Sequence, residues 1–487
     1  MTAKDERVGL AWEPECFSNE MRPQWEIDEP GVGAILTLVR QELHIGSWKK
    51  FSTEILAKGS ASKVYAIHRD VKVDYIMRIS LPVEPHRKTL SEQATIEYVR
   101  QHTKISVPEV ITLSMQSSNT LGFEWTIMQR IPGDKLFVEY QVPLFNKRFP
   151  QIGSLYCKAE LEALLSALPP STIRPDSKGS AFLAQYCLGK IVSVPFFYHK
   201  NWRLDVYRGP YTYARDWLAA RLQIAAADFG NQPIYSDGKE KASCGYSEDD
   251  AHEQIVDPDE ARIPIELDDG VSQVHTTMGV TDNNEQSDDT NSDKKCENDR
   301  DDLEVDPRAL RTAASTRSRI QRLINLLPEI FPRGGTEECM LFHHDLLGNS
   351  ILVDQNHENS GIIDWNCIHT VPLWLGCQIP KFLHSREVKE RPLFRTEFED
   401  EADENHYWRL IEEHEKTQLQ AFFLDEMQRV CPEWMQIHQA GSLEADFDLA
   451  VNTVALPAGA TDHFERWLGQ VEQGAEPLNL RSAMNQY

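Results

Sequence analysis

The pattern of apolar residues divides the chain into a strand-rich first part and a helix-rich second part. Residues 31–44 repeat apolar side chains at helical spacing and predict an amphipathic helix. A second helix is predicted over residues 89–103, beginning with a capping box from Thr89 to Glu92. Five short apolar runs around that second helix predict the strands of a small antiparallel sheet, at residues 51–56, 63–67, 73–79, 109–115 and 123–128.

Helical patterns dominate after Pro132 and Gly133, which interrupt regular structure. The predicted helices occupy residues 150–168, 210–226, 308–328, 404–430 and 459–473. Among them, a hairpin is predicted from the strand 351–353, the polar turn 355–360 and the strand 361–363. The chain therefore predicts an α+β fold with two lobes, a small antiparallel-sheet N-lobe and a mostly helical C-lobe.

Acidic residues are concentrated in one stretch. The 487 residues carry a formal net charge of −26, but residues 237–306 alone contain 23 acidic and 6 basic side chains. This stretch has few aromatic residues and no sustained periodicity, so it cannot bury enough apolar surface to offset the entropy of ordering. We expect a disordered acidic insertion over residues 234–306, either a solvated loop or a segment that binds a regulatory partner. The remaining residues carry no basic excess of the kind that nucleic acid binding requires.

Cysteine usage and hydropathy bear on the compartment. The nine cysteines are odd in number and include no CxxC pair, so they indicate neither a disulfide framework nor a zinc site. Residues 1–7 lack the apolar segment of a signal peptide, and no apolar run is long enough to cross a bilayer. We expect a soluble cytoplasmic protein with reduced thiols and no membrane partner.

The sequence HHDL, which begins at His343, is the segment most indicative of chemistry. Asp345 follows His343 by two residues in a loop that leads into a strand, and Asp364 ends the next strand. Phosphoryl transfer uses two carboxylates in this order: one accepts the proton of the substrate hydroxyl and the other holds Mg²⁺ against the phosphates. The alternative is that both carboxylates only cap or terminate turns.

One position departs from the kinase pattern. The metal-binding Asn expected five residues after Asp345 is replaced by Ser350, and Asn349 lies one residue early. The Ser350 hydroxyl could ligate Mg²⁺, a shift of the loop could bring Asn349 to the metal, or metal affinity could be reduced. The sequence leaves these three alternatives open.

Two candidate residues of the N-lobe carry charge. Arg78 lies in the third predicted strand, where a cation can contact the α- and β-phosphates of a nucleotide. A charge inside an apolar strand is costly to bury unless it is paired, and Glu92 on the following helix is the expected partner. The alternatives are that Arg78 extends to solvent from a sheet edge and that Glu92 serves only the capping box.

Other candidate residues would surround a nucleotide. Gly59 and Ser60 lie between the first two strands, where backbone N–H groups can face phosphate oxygens. A single glycine at this place is also typical of an ordinary hairpin turn. Met128 to Arg130 would then form the hinge whose backbone meets the adenine.

Together these segments resemble the aminoglycoside phosphotransferase (choline-kinase-like) family, and especially its large, mostly uncharacterised fungal branch. The resemblance covers roughly residues 30–475 apart from the acidic insertion, and implies the protein-kinase-like fold, ATP, Mg²⁺ and a small hydroxylated acceptor. It assigns Asp345 as catalytic base, Asp364 as principal Mg²⁺ ligand, Arg78 as the phosphate-binding cation, Glu92 as its partner and His343 as a brace of the catalytic loop. The matching segments are GSASKVY at 59–65, MRI at 77–79, SEQAT at 91–95, IMQRIPG at 127–133, IGSLY at 152–156, RGPY at 208–211, HHDL at 343–346 and GIIDW at 361–365.

The resemblance also sets the domain organisation that we expect. The N-lobe, residues 30–133, would bind the nucleotide, and the C-lobe, residues 134–233 and 307–475, would contain the catalytic loop. The acidic insertion, residues 234–306, divides the C-lobe. An N-terminal extension, residues 1–29, and a C-terminal tail, residues 476–487, flank the two lobes.

Two hypotheses of function follow. The first is an ATP-dependent kinase that phosphorylates a hydroxyl of a small molecule, and it is favoured by the two acidic positions. The second is a degenerate kinase fold that binds nucleotide or a protein partner without catalysis, and it is favoured by Ser350 and the glycine-poor loop. An aminoglycoside acceptor is disfavoured because most of the excess acid lies in the insertion. A cage for a quaternary ammonium acceptor, or simple core packing, could be formed by Tyr207, Tyr211, Trp217, Trp374 and Trp408.

Overall fold

The computed structural model describes most of the chain outside the acidic insertion. Five predicted features lie wholly or mostly outside the described residues: Ser60, the break at Pro132 and Gly133, the insertion 234–306, Asn349 and the polar turn 355–360. The described residues are 7–14, 21–26, 30–59, 61–69, 72–131, 140–168, 179–197, 201–230, 307–335, 337–347, 350–353, 359–395, 398, 400–455 and 462–484.

The N-lobe is built on an antiparallel sheet. Strands β1 (Leu10–Pro14) and β2 (Met21–Trp25) pair with each other and precede helix α1 (Val32–Glu42). The sheet has the order β3-β4-β5-β7-β6 with every neighbour antiparallel, and helix α2 lies between β5 and β6 in the chain. The predicted five strands and the helix within them are confirmed. Their bounds are β3 (Phe51–Lys58), β4 (Ser62–Arg69), β5 (Lys72–Ser80), α2 (Arg87–His102), β6 (Val110–Ser114) and β7 (Glu124–Gln129).

The start of α2 differs from the predicted capping box. The helix begins at Arg87, after His86, whose φ of 61° is left-handed and whose side chain makes no capping bond. The Thr89 hydroxyl instead donates to Glu124, and Glu92 accepts from Arg78. The capping box was wrong because both of its side chains have partners on the sheet, which satisfy them better than the helix end would.

The first part of the C-lobe mixes short strands and helices. Strand β8 forms a three-stranded sheet with β10 and β9 in the order β8-β10-β9. The predicted helix 150–168 was therefore wrong over its first part, because residues 154–157 pair with β10 and the helix begins only at Lys158. The elements are α3 (Gln141–Phe145), β8 (Ser154–Cys157), α4 (Lys158–Ala167), β9 (Ser180–Ala181), β10 (Tyr186–Gly189), α5 (Val194–Phe197), a 3-10 turn (Asn201–Arg203) and α6 (Ala214–Gly230).

The second part of the C-lobe contains the predicted hairpin. After α7 (Pro307–Ile330), β12 pairs with β13 to form the hairpin. Strands β11 and β14, which come before and after the hairpin in the chain, pair with each other. Helices follow to the end of the described chain. The bounds are β11 (Cys339–Phe342), β12 (Ile351–Val353), β13 (Asn359–Ile362), β14 (His369–Pro372), α8 (Leu373–Gly376), a 3-10 turn (Lys381–Leu383), α9 (Glu401–Val430), α10 (Pro432–Ala440), α11 (Ser442–Thr453), α12 (Asp462–Glu472) and α13 (Leu480–Met484).

Two hydrophobic cores lie in the two lobes, and α2 belongs to both. Leu90, near its start, packs in the sheet core, whereas Tyr98 and Val99, near its end, pack in the helical core. Strand β8 is divided in the same way because successive side chains point to opposite faces: Leu155 is in the helical core and Tyr156 is in the sheet core. Alpha2 and β8 therefore join the lobes.

Two sequence expectations concern the chain as a whole. Of the helices within the described residues, none combines the length and the apolar character needed to cross a membrane. The six cysteines of the same residues are free thiols: Cys157, Cys187, Cys339, Cys367, Cys377 and Cys431.

Candidate active site

Arg78 is the centre of the candidate site. It lies within β5 and is 9 % exposed. Its Nη1 donates to Glu92 Oε1 at 2.6 Å and its Nη2 donates to Asp364 Oδ1 at 3.0 Å. Burial acts to lower the pKa of Arg78, but the two carboxylates outweigh burial and raise the pKa above its ordinary value. One charged guanidinium therefore joins the sheet, α2 and the segment after the hairpin.

The spacing of strand and helix places a second cation beside Arg78. Ser80 follows Arg78 by two residues on β5, and Lys88 precedes Glu92 by one helical turn on α2, so each pair shares a face. Lys88 is 2 % exposed and its Nζ donates to Ser80 Oγ at 3.3 Å. Across the described ranges this is the one hydrogen bond or ion pair of the ammonium. The sequence analysis missed Lys88, although the spacing of four residues from Glu92 was a signal.

Asp364 lies two residues beyond β13 with a φ of 67°, in the left-handed region that a non-glycine residue seldom adopts. Burial acts to raise the pKa of Asp364, but Arg78, His343 and Lys88 outweigh burial and lower the pKa below its ordinary value. The carboxylate is therefore ionised. Its Oδ1 accepts from Arg78 and from Asn366, while its Oδ2 accepts no hydrogen bond from the described residues, and the side chain is 39 % exposed.

His343 connects the HHDL loop to the segment that contains Asp364. Its Nε2 donates to the carbonyl of Ile363 at 3.2 Å, and its ring meets the ring of Trp365 edge-on at 5.2 Å. Trp365 in turn donates from Nε1 to the carbonyl of Ile362 at 2.9 Å. Burial lowers the pKa of His343. These contacts fix the loop of Asp345 relative to Asp364.

Asp345 is exposed, unlike its described neighbours in the loop. Its side chain is 61 % exposed, and Oδ1 accepts from Lys381 Nζ at 3.1 Å. Ser350 is buried, and its hydroxyl donates to the backbone carbonyl of Asp345 at 3.3 Å. The hydroxyl at the expected second metal position thus bonds to its own loop, and the alternative metal ligand, Asn349, is not among the described residues.

The N-lobe residues expected to contact a nucleotide include Gly59, Met128 and Arg130. The Gly59 N–H donates to the carbonyl of Ser62 at 2.8 Å, as in an ordinary hairpin turn. Met128 is buried in β7 between β5 and β6, whereas Arg130 is exposed just beyond the end of β7. Gly59 therefore offers no free amide to a phosphate in this conformation.

A magnesium ion fits the donor set at Asp364. Within the described part of the chain, no three His, Cys, Asp or Glu side chains converge on one point that could hold a metal. Magnesium in phosphoryl-transfer sites is usually held by one or two carboxylates together with substrate phosphates, and not by a cage of protein ligands. The ionised and half-exposed carboxylate of Asp364 meets that requirement.

Of the five aromatic residues considered for a cage, Tyr207 and Tyr211 meet edge-on at 5.2 Å, whereas the three tryptophans pack on other partners. Trp217 packs on His369, Trp374 on Phe331 and Trp408 on Tyr407. Two surface cavities, of about 330 and 320 Å³, also lie elsewhere, one beside the end of α7 and one beside α4. Neither of these two cavities is lined by Arg78, Asp345 or Asp364.

Comparison with known proteins gives limited matches. No protein family model matches the chain. A subtelomeric hrmA-associated cluster protein of Aspergillus fumigatus, found in two strains, is 27% identical over 175 residues, which are 32% of this chain and 32% of each relative. The chain thus matches about a third of the length of these relatives.

Several solved structures are similar at low TM-score. A crystal structure of aminoglycoside phosphotransferase APH(4)-Ia has 13% identity and a TM-score of 0.35, covering 94% of this chain and 96% of that chain. A thermostable mutant of that enzyme, in ternary complex with AMP-PNP and hygromycin B, has 12% identity and a TM-score of 0.34, covering 93% and 95%. The GDP and kanamycin complex of APH(2")-IIia has 12% identity and a TM-score of 0.31, covering 86% and 99%. At these scores, we infer function from the contacts of the site itself.

Proposed function

We propose that the protein transfers the terminal phosphoryl group of ATP to a hydroxyl of a small molecule. One observation supports this above the others: the Arg78 guanidinium holds Glu92 and Asp364 together at one buried point. A strand cation paired with a helix carboxylate, next to a half-exposed carboxylate, is the arrangement that positions phosphates and their metal ion.

In this proposal Arg78 binds oxygens of the α- and β-phosphates, and Glu92 keeps its guanidinium in place. Asp364 would hold Mg²⁺, since its carboxylate is half-exposed beside Arg78. The ion supplies neutralisation of the charge on the phosphates. Nucleotide binding would thus depend on Asp364 as well as on Arg78.

Asp345 is proposed as the base that accepts the proton of the acceptor hydroxyl, and its exposure leaves it reachable by an acceptor. His343 braces the loop through its bond to Ile363. Ser350 and Asn349 stay alternative candidates for a second metal contact. Around the nucleotide, Gly59 and Ser60 are proposed to face the phosphates, and Met128 and Arg130 to flank the adenine.

The acceptor is proposed only as a small hydroxylated compound. Hygromycin B and kanamycin are bound by the similar structures named above, whose identity to this chain is too low to carry those ligands over. An unbiased screen of metabolites, whatever their charge, is therefore the first way to identify the acceptor.

A second candidate function is nucleotide binding without catalysis. Two observations favour it: the Ser350 hydroxyl bonds to its own loop, and the Gly59 N–H is used within a hairpin turn. Both groups would have to turn to serve metal or phosphate.

Calorimetric titration with Mg·ATP and measurement of ADP formation test these assignments. We expect Asp364→Ala to weaken Mg·ATP binding at least about tenfold, because it removes a metal ligand. Asp345→Asn should leave binding nearly intact and abolish acceptor-dependent ADP formation, because Asp345 meets the acceptor and not the phosphates. Asp425→Asn, an exposed carboxylate on α9, serves as the matched control and should behave as wild type.

Each outcome separates the alternatives. Equal loss of Mg·ATP affinity in the Asp345 and Asp364 variants would contradict the division of roles. Binding without ADP formation for any screened acceptor would favour the non-catalytic candidate. Absence of Mg·ATP binding to the wild type would show that the nucleotide site is wrongly assigned.

A further inference from the structure

Lys381 faces the proposed catalytic base from a different segment of the C-lobe. It begins the 3-10 turn Lys381–Leu383, 36 residues beyond Asp345, and donates from Nζ to Asp345 Oδ1 at 3.1 Å. Lys381 is 58 % exposed and Asp345 is 61 % exposed. An ion pair this exposed adds little to stability. Its position next to the base is therefore of functional interest more than structural interest.

The ammonium has donors to spare at this place. A lysine ammonium carries three N–H donors. Within the described ranges the Lys381 ammonium makes one hydrogen bond, to Asp345. Any acceptor whose hydroxyl reaches Asp345 must come within range of the remaining donors. Lys381 is thus placed to select acceptors by charge.

Lys381 and Arg481 both lie near His384. His384 follows Lys381 by three residues, and Arg481 Nη1 lies 3.3 Å from its ring. Burial, Arg481 and Lys381 lower the pKa of His384 to about 4, so this imidazole is neutral near pH 7.

The nearby carboxylates have partners of their own. Asp448 pairs with Arg221, and Asp446 accepts from the backbone N–H of Leu480 at 2.8 Å. Lys381 is therefore the cation that contacts Asp345, where the acceptor hydroxyl would lie.

We infer that the acceptor carries an anionic group, a carboxylate or a phosphate, close to the hydroxyl that is phosphorylated. Lys381 binds the anionic group while the hydroxyl meets Asp345. The inference rests on the proposed function, since it places the acceptor at Asp345. A cationic acceptor would bring like charges together at this point, which disfavours binding.

The proposed phosphoryl transfer balances in atoms and electrons. The acceptor oxygen forms a bond to the γ-phosphorus while the bond from that phosphorus to the β-phosphate oxygen breaks. ADP leaves with the electron pair of that bond, and the hydroxyl proton moves to Asp345. Lys381 is not covalently changed and acts by binding the acceptor.

A charge-matched panel of ligands tests the inference by direct binding, without requiring turnover. The probes are glycerate and glycerol 3-phosphate as anions, glycerol as the neutral compound and 2-amino-1,3-propanediol as the cation, within a wider panel of hydroxylated metabolites sorted by charge. Saturation-transfer NMR is recorded on the full chain as wild type, Lys381→Met, Lys381→Arg and Lys381→Glu. Lys389→Met is the control, because Lys389 is an exposed lysine paired with Glu387 at 3.3 Å.

We expect the wild type to bind anionic members of the panel at least about tenfold more tightly than neutral ones. Lys381→Met should lose that preference, Lys381→Arg should retain it, and Lys381→Glu should turn it toward cations. Lys389→Met should match the wild type. A wild type that shows no preference for anions, or a preference that Lys381→Met leaves unchanged, would overturn the inference.

Titration of the same samples with Mg·ATP separates this inference from the proposed function. The Lys381 variants should keep their Mg·ATP affinity, because Arg78 and Asp364 are unchanged. Normal Mg·ATP binding without a charge preference in the panel would overturn the inference alone. Lysine-dependent anion binding without any Mg·ATP binding would overturn the proposed kinase and leave an anion site at Lys381.

Discussion

Lys88 and Arg78 differ in how their buried charge is compensated. Arg78 has two carboxylates within hydrogen-bonding distance. Lys88 has one neutral hydroxyl, although its charge is near enough to help lower the pKa of Asp364. Removing a charge from water costs free energy that a single hydroxyl does not restore. The Lys88 charge is therefore less directly compensated than that of Arg78, and we expect an anionic ligand to interact with it.

Replacing Lys88 with Met tests this suggestion. Without the buried charge, we expect the melting temperature of the unliganded protein to stay the same or rise. The affinity for Mg·ATP should fall about tenfold, because a cation close to the phosphates is lost. Adenosine affinity should not change. A lower melting temperature with unchanged Mg·ATP affinity would make Lys88 a purely structural residue.

Sequence reasoning at the residue scale succeeded where a local rule applied. The contact between Arg78 and Glu92 could be expected because a charge in an apolar strand requires a partner, and the next helix offered one. The contact between Lys381 and Asp345 could not be expected, because it depends on how the 3-10 turn packs on a loop 36 residues away. The orientation of the Ser350 hydroxyl depends in the same way on the folded loop.

At the scale of elements, a buried ion pair anchors the connection between β5 and α2. Glu84 lies in that connection, and its Oε1 accepts from Lys190 Nζ at 2.6 Å, just after β10. Burial acts to raise the pKa of Glu84, but Lys190 outweighs burial and the pKa is lowered. The pair ties the start of α2 to the three-stranded sheet.

Lys190→Met should destabilise the protein by about 3 kcal/mol, because it leaves the Glu84 carboxylate buried without its partner. Adding Glu84→Gln should recover part of this loss, since the buried charge is then removed as well. Urea unfolding measures both variants. Lys416→Met, at an exposed pair with Glu412, is the control and should cost less than about 1 kcal/mol. Equal losses at the two lysines would contradict the anchoring role.

The elements that could be predicted are those with a sustained period. Helices α7 and α12 and the strands of the N-lobe sheet follow from apolar spacing. Strand β8 could not be predicted in this way. Three of its four residues are buried, and such a short apolar run fits a helix equally well. Its pairing with β10, some thirty residues later, decides the outcome.

At the scale of the whole molecule, the α+β plan with an N-terminal antiparallel sheet and a helical C-terminal part is confirmed. The predicted domain limits stay a prediction, and the structure adds one point to them. Residues such as Tyr156, Leu161 and Phe197, beyond the expected N-lobe limit at 133, pack in the sheet core. Sequence order therefore does not separate the two cores, because the chain returns to the sheet after leaving it.

The membership of α2 in both cores has a consequence for cooperativity. A helix that supplies Leu90 to one core and Val99 to the other cannot lose one set of contacts and keep the other intact. The two lobes should then open as one unit in native-state hydrogen exchange, in contrast to domains that unfold separately. If the proposed function holds, saturating Mg·ATP binds at β5 and α2 and should slow the slowest-exchanging amides of α11 and α12 by the same factor as those of β5. Protection confined to the sheet would show that the lobes are energetically independent, whereas shared protection would show that a bound nucleotide stabilises the helical core as much as the sheet.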